Sequence, residues 1–376
     1  MPLPATFSDF IGNTATIDSL RASIAVGRLP HSMILAGPRG SGKYTLALML
    51  TLALECERQP RETGADGREL AAFCGICHNC TRIAESADLE ARVEEAVAAR
   101  EDMREVDKKE TRVLIQTHPD VLILPPDPPQ LLIKLGQVRT LINRSQRRPA
   151  EARAKVFLIT TAAFMKEAAN SLLKVLEEPP DYAHILILAE NLGELLPTIR
   201  SRCAIVRLGA LPAEEIESLL AKHRPEISPK ERALLARLSE GAVGRAYGFN
   251  LSEYAAARLD ALTILRNSQT SDHTALFKMT ETYRAGADGQ VKTTALLRAL
   301  ASILEDILLL QGGAPDRIRN VDIRPELTGF ADTFDFAWLE SAVRGLDAVQ
   351  SGMRRNLLRN VSLDAFATEL EGVRTR

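Results

Sequence analysis

The sequence predicts an α/β fold built on a parallel, doubly wound sheet, followed by an all-helical C-terminal part. Short apolar segments typical of buried strands alternate with helical segments up to about residue 210. A glycine-rich phosphate loop stands between the first of these strands and a helix, which is the context that such a loop requires. From about residue 211 onward the strand signals disappear, and helices separated by Gly and Pro follow one another.

The first half of the sheet domain is predicted as helix, strand, loop and helix. Ile17, Leu20 and Ile24 recur at helical spacing, "SMILAG" is a short apolar strand, and "KYTLALMLTLALEC" is an apolar helix buried against the sheet. A cysteine cluster follows, and after it residues 82–116 are rich in Ala, Glu and Arg. Their mixed charge predicts a solvated helix or helical hairpin, inserted into the domain.

The second half of the sheet domain repeats the alternation. "HPDVLILPPDPP" is a strand stopped by prolines, "IKLGQVRTLINRSQRRP" is a helix, and "AKVFLITTA" is a buried strand. "ANSLLKVLEEPP" is a helix that ends at a double proline, "AHILILAEN" is a further strand, and "LLPTIRSRCAIVRLG" is a turn with an edge strand. In the C-terminal part, residues 296–308 place seven Leu and Ile side chains on one wide face, most of which we expect inside a helical bundle.

Composition and charge exclude several classes of protein. The 376 residues suffice for two or three domains, and the apolar fraction of 45% is ample for their cores. With 47 Lys and Arg against 49 Asp and Glu, the chain has no uniformly basic coat for nucleic acid. We find no signal peptide and no apolar run of roughly 18 residues. A soluble, cytoplasmic protein without membrane contact is therefore expected.

The phosphate loop follows the pattern GxxxxGK[ST] except at its last position. Its glycines let backbone N–H groups surround a phosphate, its Lys adds a positive charge, and the final hydroxyl normally binds Mg²⁺. Tyr44 occupies that final position, and Thr45 comes one residue too late to replace it. ATP or ADP binding without a Mg²⁺ ligand from the loop is compatible with this pattern. The loop residues are Gly37, Pro38, Arg39, Gly40, Ser41, Gly42, Lys43 and Tyr44.

The acidic motif that should accompany the loop is also altered. In a hydrolysing site, an Asp at the end of a neighbouring strand holds Mg²⁺ and a following Glu orients the attacking water. The strand "KVFLI" ends instead in Thr160 and Thr161, which carry no negative charge. Because both losses affect the same metal and the same water, we expect no intrinsic ATPase activity.

The cysteines predict a structural zinc site. Cys74, Cys77 and Cys80 have the CxxC spacing of a zinc knuckle, and four thiolates suit tetrahedral Zn²⁺. The fourth ligand is open at this point, since 17 residues separate Cys56 from Cys74 and His78 competes with it. Cys203 stands alone in an apolar segment and is expected to be an ordinary core residue.

Three arginines are candidates for contact with phosphate. Arg200 and Arg202 stand at the turn before the edge strand, and Arg245 begins a helix in "GAVGRA". Arg stabilises charge on a transferring phosphoryl group and can do so from a neighbouring subunit. Surface salt bridges are the alternative, and periodicity does not decide between them.

The chain resembles the clamp-loader branch of the AAA+ family. The resemblance is carried by "RLPHSMILAGPRGSGK", the four cysteines, "AANSLLKVLEEPP", "SRC" and "RRNLLRNVSLDAF". It implies an AAA+ P-loop domain at 1–210 with a zinc module at 56–80 and the helical insertion at 82–116. A small helical lid domain at 211–255 and a helical collar domain for oligomerisation at 256–376 would follow.

The resemblance also implies roles for single residues. Arg202 of "SRC" would reach the ATP site of an adjacent motor subunit as a trans-acting finger, and Arg245 would occupy the second-sensor position. The first-sensor residue would fall within residues 189–191. Thr160 and Thr161 stand where motor subunits carry the acidic pair. The zinc ligands would be Cys56, Cys74, Cys77 and Cys80.

The function implied is that of a non-hydrolysing stator subunit of the DNA polymerase III clamp loader, which is a component of a DNA polymerase holoenzyme. Its partners would be the gamma/tau and delta subunits, the sliding clamp and, through the complex, primed DNA. Two alternatives stay open: an ATP-hydrolysing motor subunit of the gamma/tau type, and a stand-alone zinc protein that binds nucleic acid. An ATPase assay distinguishes the first, and salt-sensitive DNA binding by the isolated chain distinguishes the second.

Overall fold

The structure is a computed structural model that describes residues 3–104, 112–269, 273–283, 286–354 and 358–374. It divides into two compact units. The first contains residues 1–211 and 241–247, and the second contains residues 212–240 and 248–376. Part of the predicted insertion, residues 105–111, and part of the "RRNLLRNVSLDAF" segment, residues 355–357, lie outside the described residues.

The first unit is built around a six-stranded sheet in the order β4-β5-β6-β7-β1-β8. All neighbouring strands run parallel except the edge strand β4, which is antiparallel to β5. The sheet strands are β1 (Ser32–Ala36), β4 (Ile115–His118), β5 (Val121–Leu124), β6 (Lys155–Ile159), β7 (Ala183–Ala189) and β8 (Ala204–Arg207). The predicted α/β class is confirmed, and β8 is the predicted edge strand.

Helices connect these strands and cover both faces of the sheet. They are α1 (Thr14–Ala25), α2 (Lys43–Glu55), α3 (His78–Ala84), α4 (Leu89–Glu101), α5 (Leu135–Ser145), α6 (Lys166–Glu177), α7 (Pro197–Arg200) and, from the returning segment, α10 (Val243–Tyr247). β1, β6 and β7 are buried along their whole length, because each is covered on two faces. One apolar core contains α1 and α2, and the other contains α5 and α6.

Two strand segments were not predicted. The hydrophilic stretch between Cys56 and Cys74 forms a hairpin of β2 (Arg61–Thr63) and β3 (Glu69–Ala71). β4 begins at Ile115, inside the stretch predicted as helical insertion. All three strands are only three or four residues long, so they offer too little apolar alternation to be recognised. Within the insertion, α4 is helical and has no buried residue, as its mixed charge predicts.

The second unit is helical throughout its described residues. Its helices are α8 (Ala213–His223), α9 (Pro229–Leu238), α11 (Leu251–Asn267), α12 (Thr274–Thr280), α13 (Gly286–Gln311), α14 (Arg324–Thr333), α15 (Phe336–Arg354) and α16 (Arg359–Arg374). The apolar face of α13 is buried in one core cluster, as predicted, except that Leu308 is 45% exposed. Leu308 lies one position beyond the buried stripe that ends at Ile307. The predicted division into a lid domain, 211–255, and a collar domain, 256–376, stays a prediction.

Candidate functional site

The phosphate loop connects β1 to α2 at the carboxyl edge of the sheet. Gly40 and Gly42 have φ values of +82° and +81°, a backbone conformation that side chains with a Cβ rarely adopt. Lys43 is only 9% exposed, and its Nζ donates to the carbonyl oxygens of Gly37 and Pro38 at 2.7 Å each. Burial lowers the pKa of Lys43, and the Glu190 carboxylate opposes that shift. The Lys43 ammonium group therefore links the end of the loop to its beginning.

The segment that carries Arg245 returns to pack against this loop. The N–H of Gly244 donates to the carbonyl oxygen of Gly40 at 2.8 Å. A Cβ at Gly40 would lie 2.6 Å from the backbone nitrogen of Arg245, so only glycine fits there. The backbone at the predicted second-sensor position is therefore in direct contact with the phosphate loop.

The Tyr44 hydroxyl makes a hydrogen bond within the chain and is not offered to a metal ion. It donates to the carbonyl oxygen of Ser86 at 2.5 Å, which ties α2 to the segment between α3 and α4. Burial, together with the nearby Asp88 carboxylate, raises the pKa of the Tyr44 phenol well above its usual range. The phenol is therefore neutral and engaged within the chain, whereas a loop Ser or Thr would offer its oxygen to Mg²⁺.

Thr160 and Thr161 line the same cleft of about 1020 Å³ as the phosphate loop. Thr160 N–H donates to Leu124 O at 3.1 Å, and Thr161 Oγ1 accepts from Ala163 N–H at 3.2 Å. The two altered motifs therefore line one cleft. Neither threonine supplies a carboxylate there.

The cleft is lined by more acidic than basic side chains, which the sequence alone did not indicate. Its cationic lining residues are Arg39 and Lys43. Its acidic ones are Asp9, Glu90, Glu94, Glu190 and Glu194. Glu190 falls within residues 189–191, the range predicted for the first sensor. An acidic lining does not favour a polyphosphate anion unless a cation accompanies it.

The helix α4 of the insertion forms one wall of this cleft, through Leu89, Glu90, Val93 and Glu94. It is held there at both ends. At its start, the Tyr44 hydroxyl bonds Ser86. In its last turn, Arg100 makes an ion pair with the fully buried Asp127, which follows β5 and also lies 3.7 Å from Lys134 Nζ. Asp127 stands among the prolines that end the strand, and no sequence motif distinguishes it as an anchor.

The four cysteines of the zinc prediction come together. One Sγ from each of Cys56, Cys74, Cys77 and Cys80 lies within 4.8 Å of all the others. Tetrahedral Zn–S bonds of about 2.3 Å require sulfur atoms about 3.8 Å apart, so this donor set fits zinc. His78 lies outside the group. Its ring is largely exposed and faces Glu151 and Arg82.

The surroundings of the cluster act on its thiols in opposite directions: burial raises the pKa of Cys56 and of Cys80, whereas N–H donors lower the pKa of Cys74. Backbone N–H groups of Gln59 and Cys74 donate to Cys56 Sγ, and that of Cys77 donates to Cys74 Sγ, each at 3.3 Å. Desolvation opposes ionisation of Cys74, but N–H donors outweigh it and lower the pKa of its thiol to about 7. Cys203 is separate from the cluster, and burial raises the pKa of its thiol to about 12.

Arg202 lies at the amino end of the parallel strands, and the phosphate loop lies at their carboxyl end. β1 and β8 are parallel with Ala36 beside Arg207, and the loop follows Ala36. Arg202 lies in the turn before Ala204, the first residue of β8, and the strand from Ala204 to Arg207 spans roughly 10 Å. Its guanidinium contacts Glu177 at the end of α6, with Nε donating to Oε1 at 2.8 Å. Arg200 ends the short helix α7.

A phosphate loop on an open parallel sheet, with a returning helical segment packed on the loop, defines the AAA+ class of nucleotide-binding protein. The family described as DNA polymerase III, delta subunit, matches residues 12–212. The chain belongs to this family.

Individual relatives agree with that assignment. The chain is 29% identical over 308 residues to the DNA polymerase III subunit tau of Escherichia coli K12, covering 81% of this chain and 37% of that protein. It is 27% identical over 302 residues to the DNA polymerase III subunit delta' of Bacillus subtilis 168, covering 80% of this chain and 78% of that protein. The chain thus spans just over a third of the tau relative's length and most of the delta' relative's.

Solved structures to which the chain is similar include a DNA polymerase III gamma subunit-related protein from Thermotoga maritima. It has a TM-score of 0.41 and 18% identity, and the match covers 96% of this chain and 100% of that one. The Thermotoga maritima RuvB Holliday junction branch migration motor has a TM-score of 0.39 and 15% identity, with coverage of 82% and 80%. In the described part of the chain, no helix is both long and apolar enough to cross a membrane.

Proposed function

We propose that this chain is a non-hydrolysing, delta-prime-type stator subunit of the DNA polymerase III clamp loader. In this role it helps to load the sliding clamp onto primed DNA during replication. The observation that carries the proposal is the meeting of Tyr44 with Thr160 and Thr161 at one cleft. Each of the three stands where hydrolysis requires a metal ligand or a base. A nucleotide that enters this cleft is therefore not hydrolysed there.

The same proposal assigns Arg202 a role in trans. A guanidinium at the opposite edge of the sheet from its own phosphate loop is too far away to stabilise a phosphate bound there. The ATP that Arg202 serves would belong to an adjacent gamma/tau subunit, and the delta subunit would complete the assembly. The clamp and the primed DNA are contacted within the complex. Arg245 would serve as the second-sensor residue of a cleft that no longer hydrolyses.

Cys56, Cys74, Cys77 and Cys80 would hold a structural Zn²⁺. With four thiolates and no position left for water or substrate, the ion would supply cross-linking rather than Lewis-acid chemistry. These residues join the end of α2, the hairpin β2-β3 and α3. The zinc module would therefore stabilise the C-terminal end of α2, the helix that follows the phosphate loop.

Reconstitution with the gamma/tau and delta subunits, followed by ATPase and clamp-loading assays, tests the proposal. The chain alone should show no ATP turnover and little DNA binding, and it should form a stable complex with its partners. Arg202→Ala should leave assembly intact and depress the DNA- and clamp-stimulated ATPase of the complex. If the purified chain hydrolysed ATP and Lys43→Ala abolished that activity, the first alternative, an ATP-hydrolysing motor subunit, would be favoured. The match to a tau subunit is compatible with that alternative. Salt-sensitive DNA binding by the chain alone would favour the second alternative, a stand-alone zinc protein that binds nucleic acid.

A further inference from the structure

The guanidinium of Arg202 is held by its own chain on more than one side. Nε donates to Glu177 Oε1 at 2.8 Å, and Nη2 makes an ion pair with the same oxygen. Nη1 donates to the carbonyl oxygen of Thr198 at 3.0 Å and lies 3.4 Å from Ser201 Oγ. A guanidinium carries five N–H donors, so these contacts leave part of its hydrogen-bonding capacity available.

The position of Glu177 is fixed by its helix. Glu177 is the last residue of α6, and Pro179 and Pro180 prevent the helix from continuing. α6 begins after the carboxyl end of β6 and ends before the amino end of β7, so its last turn lies at the same edge of the sheet as Arg202. The segments "LLKVLEEPP" and "SRC", which are 25 residues apart at the paired side chains, therefore form one contact.

An unsupported arginine side chain at a surface samples many rotamers, and ordering it has an entropic cost. The carboxylate of Glu177 occupies the side edge of the guanidinium, formed by Nε and Nη2. The side chain of Arg202 is still 32% exposed, so a phosphate can approach it. Support at Nε, Nη2 and Nη1, with part of the donor capacity still accessible to solvent, is an arrangement that pre-organises an arginine for a second anion.

We infer that Glu177 is a positioning residue for Arg202, holding its guanidinium ready for the phosphate of a neighbouring subunit. This inference rests on the proposed trans-acting role of Arg202. Glu177 touches no nucleotide in this arrangement, and its effect on ATP hydrolysis passes entirely through the arginine. Loss of the carboxylate should therefore slow the chemical step without weakening ATP binding.

The test uses the complex reconstituted from the full chain with its gamma/tau and delta partners. Arg202→Ala should lower the kcat of the stimulated ATPase, and Glu177→Gln and Glu177→Ala should each cause at least half of that loss in kcat. The reason is that misplacing a reacting group by about 1 Å can slow a reaction on the order of 10²-fold. The KM for ATP should not change. The double variant Glu177→Ala/Arg202→Ala should be no slower than Arg202→Ala alone, since the two residues act as one unit.

Glu178→Gln is the matched control, because Glu178 is the adjacent acidic residue and is also exposed. It should leave the stimulated ATPase unchanged. Melting temperature and co-purification with the partners establish that each variant folds and assembles.

Three outcomes would contradict the inference. An effect of Arg202→Ala without an effect of the Glu177 variants would overturn the positioning role and leave the finger intact. Faster hydrolysis in the Glu177 variants would mean that the carboxylate competes with phosphate for Arg202, which also overturns it. No effect of Arg202→Ala would overturn the proposed trans role itself, and the positioning role with it.

Discussion

At the scale of single residues, Tyr44 shows how one side chain can serve the fold where its counterpart in a hydrolase serves catalysis. The phenol packs against the first core cluster, and its hydroxyl reaches Ser86 at 2.5 Å. The sequence predicted the missing metal ligand, because the pattern of a phosphate loop is local. It did not predict Ser86 as the partner, because a contact across 42 residues depends on how α3 and α4 fold back.

Tyr44→Phe should lower the free energy of unfolding of the first unit by about 1 kcal/mol. The variant keeps the ring and its packing but leaves the Ser86 carbonyl oxygen without this donor. Urea denaturation measures the change. Tyr182→Phe is the control, since Tyr182 is also partly buried in this unit and only its backbone takes part in the hydrogen bond between Lys155 N and Tyr182 O. Equal stability of Tyr44→Phe and the native chain would contradict the structural role.

His184 gives the stability of the first unit a dependence on pH. Its ring stacks on that of His31 with 5.0 Å between centroids, and Nδ1 lies 3.2 Å from the carbonyl oxygen of Pro30. Desolvation by burial lowers the pKa of His184 from 6.5 to about 4. At a pH between these two pKa values, His184 is protonated in the unfolded chain but neutral in the folded chain. The free energy of unfolding therefore falls as the pH falls.

The loss should reach up to about 3 kcal/mol at the low end of that range, and it should be absent above the unfolded pKa. Urea denaturation at several pH values measures it. His184→Gln should flatten the dependence, whereas His223→Gln should not, because His223 is an exposed residue of the second unit. A profile of His184→Gln parallel to that of the native chain would refute the assignment.

At the scale of elements, the buried strands and amphipathic helices were predicted where the local pattern is strong. The strands "SMILA", "KVFLI" and "AHILILA" are fully buried, and α6 ends where its double proline requires. The hairpin β2-β3 was not predicted, because each of its strands has only three residues and β2 is exposed along its whole length. The choice between Cys56 and His78 likewise depended on that hairpin, which spacing along the chain does not reveal.

Removal of one cluster thiol should release the zinc that we propose for this module. Cys80→Ser should reduce bound zinc from about one ion per chain to almost none, and it should lower the melting temperature, since a structural ion contributes directly to folding. Cys203→Ser and His78→Ala should both retain the metal. Elemental analysis of the purified variants measures the content, and full zinc retention in Cys80→Ser would rule out the four-thiolate site.

At the scale of the whole molecule, the chain leaves the first unit after residue 211 and returns to it for residues 241–247. The return begins at Gly241, whose carbonyl oxygen accepts from the N–H of Leu211 at 2.9 Å. It ends on the phosphate loop, at the contact between Gly244 and Gly40. The sequence offered Arg245 as a candidate phosphate contact, but only the family resemblance related it to this phosphate loop, because no local pattern links residues 200 positions apart.

Gly241→Ala should destabilise the first unit by more than about 1 kcal/mol. Gly241 has a φ of +81°, and a Cβ there would lie 2.4 Å from Ala210 Cβ and 2.8 Å from Leu211 N. Gly313→Ala provides the control, since Gly313 has a φ of +70° but nothing within 4 Å of an added Cβ. Gly313→Ala should show only the cost of a positive φ, whereas Gly241→Ala should show that cost and the cost of the steric clash. Thermal unfolding of the two variants measures the difference. Identical losses in both variants would show that the close approach at Gly241 carries no cost.

The bond between Tyr44 and Ser86 also bears on how the family can change over evolutionary time. Restoring a hydroxyl ligand by Tyr44→Ser would detach the insertion helix from α2, and it would still not yield hydrolysis while Thr160 and Thr161 lack carboxylates. Tyr44→Ser alone is thus expected to lose stability without supplying the missing carboxylates. A change in the chemistry of this cleft would therefore require several substitutions at once, the first of which weakens the fold.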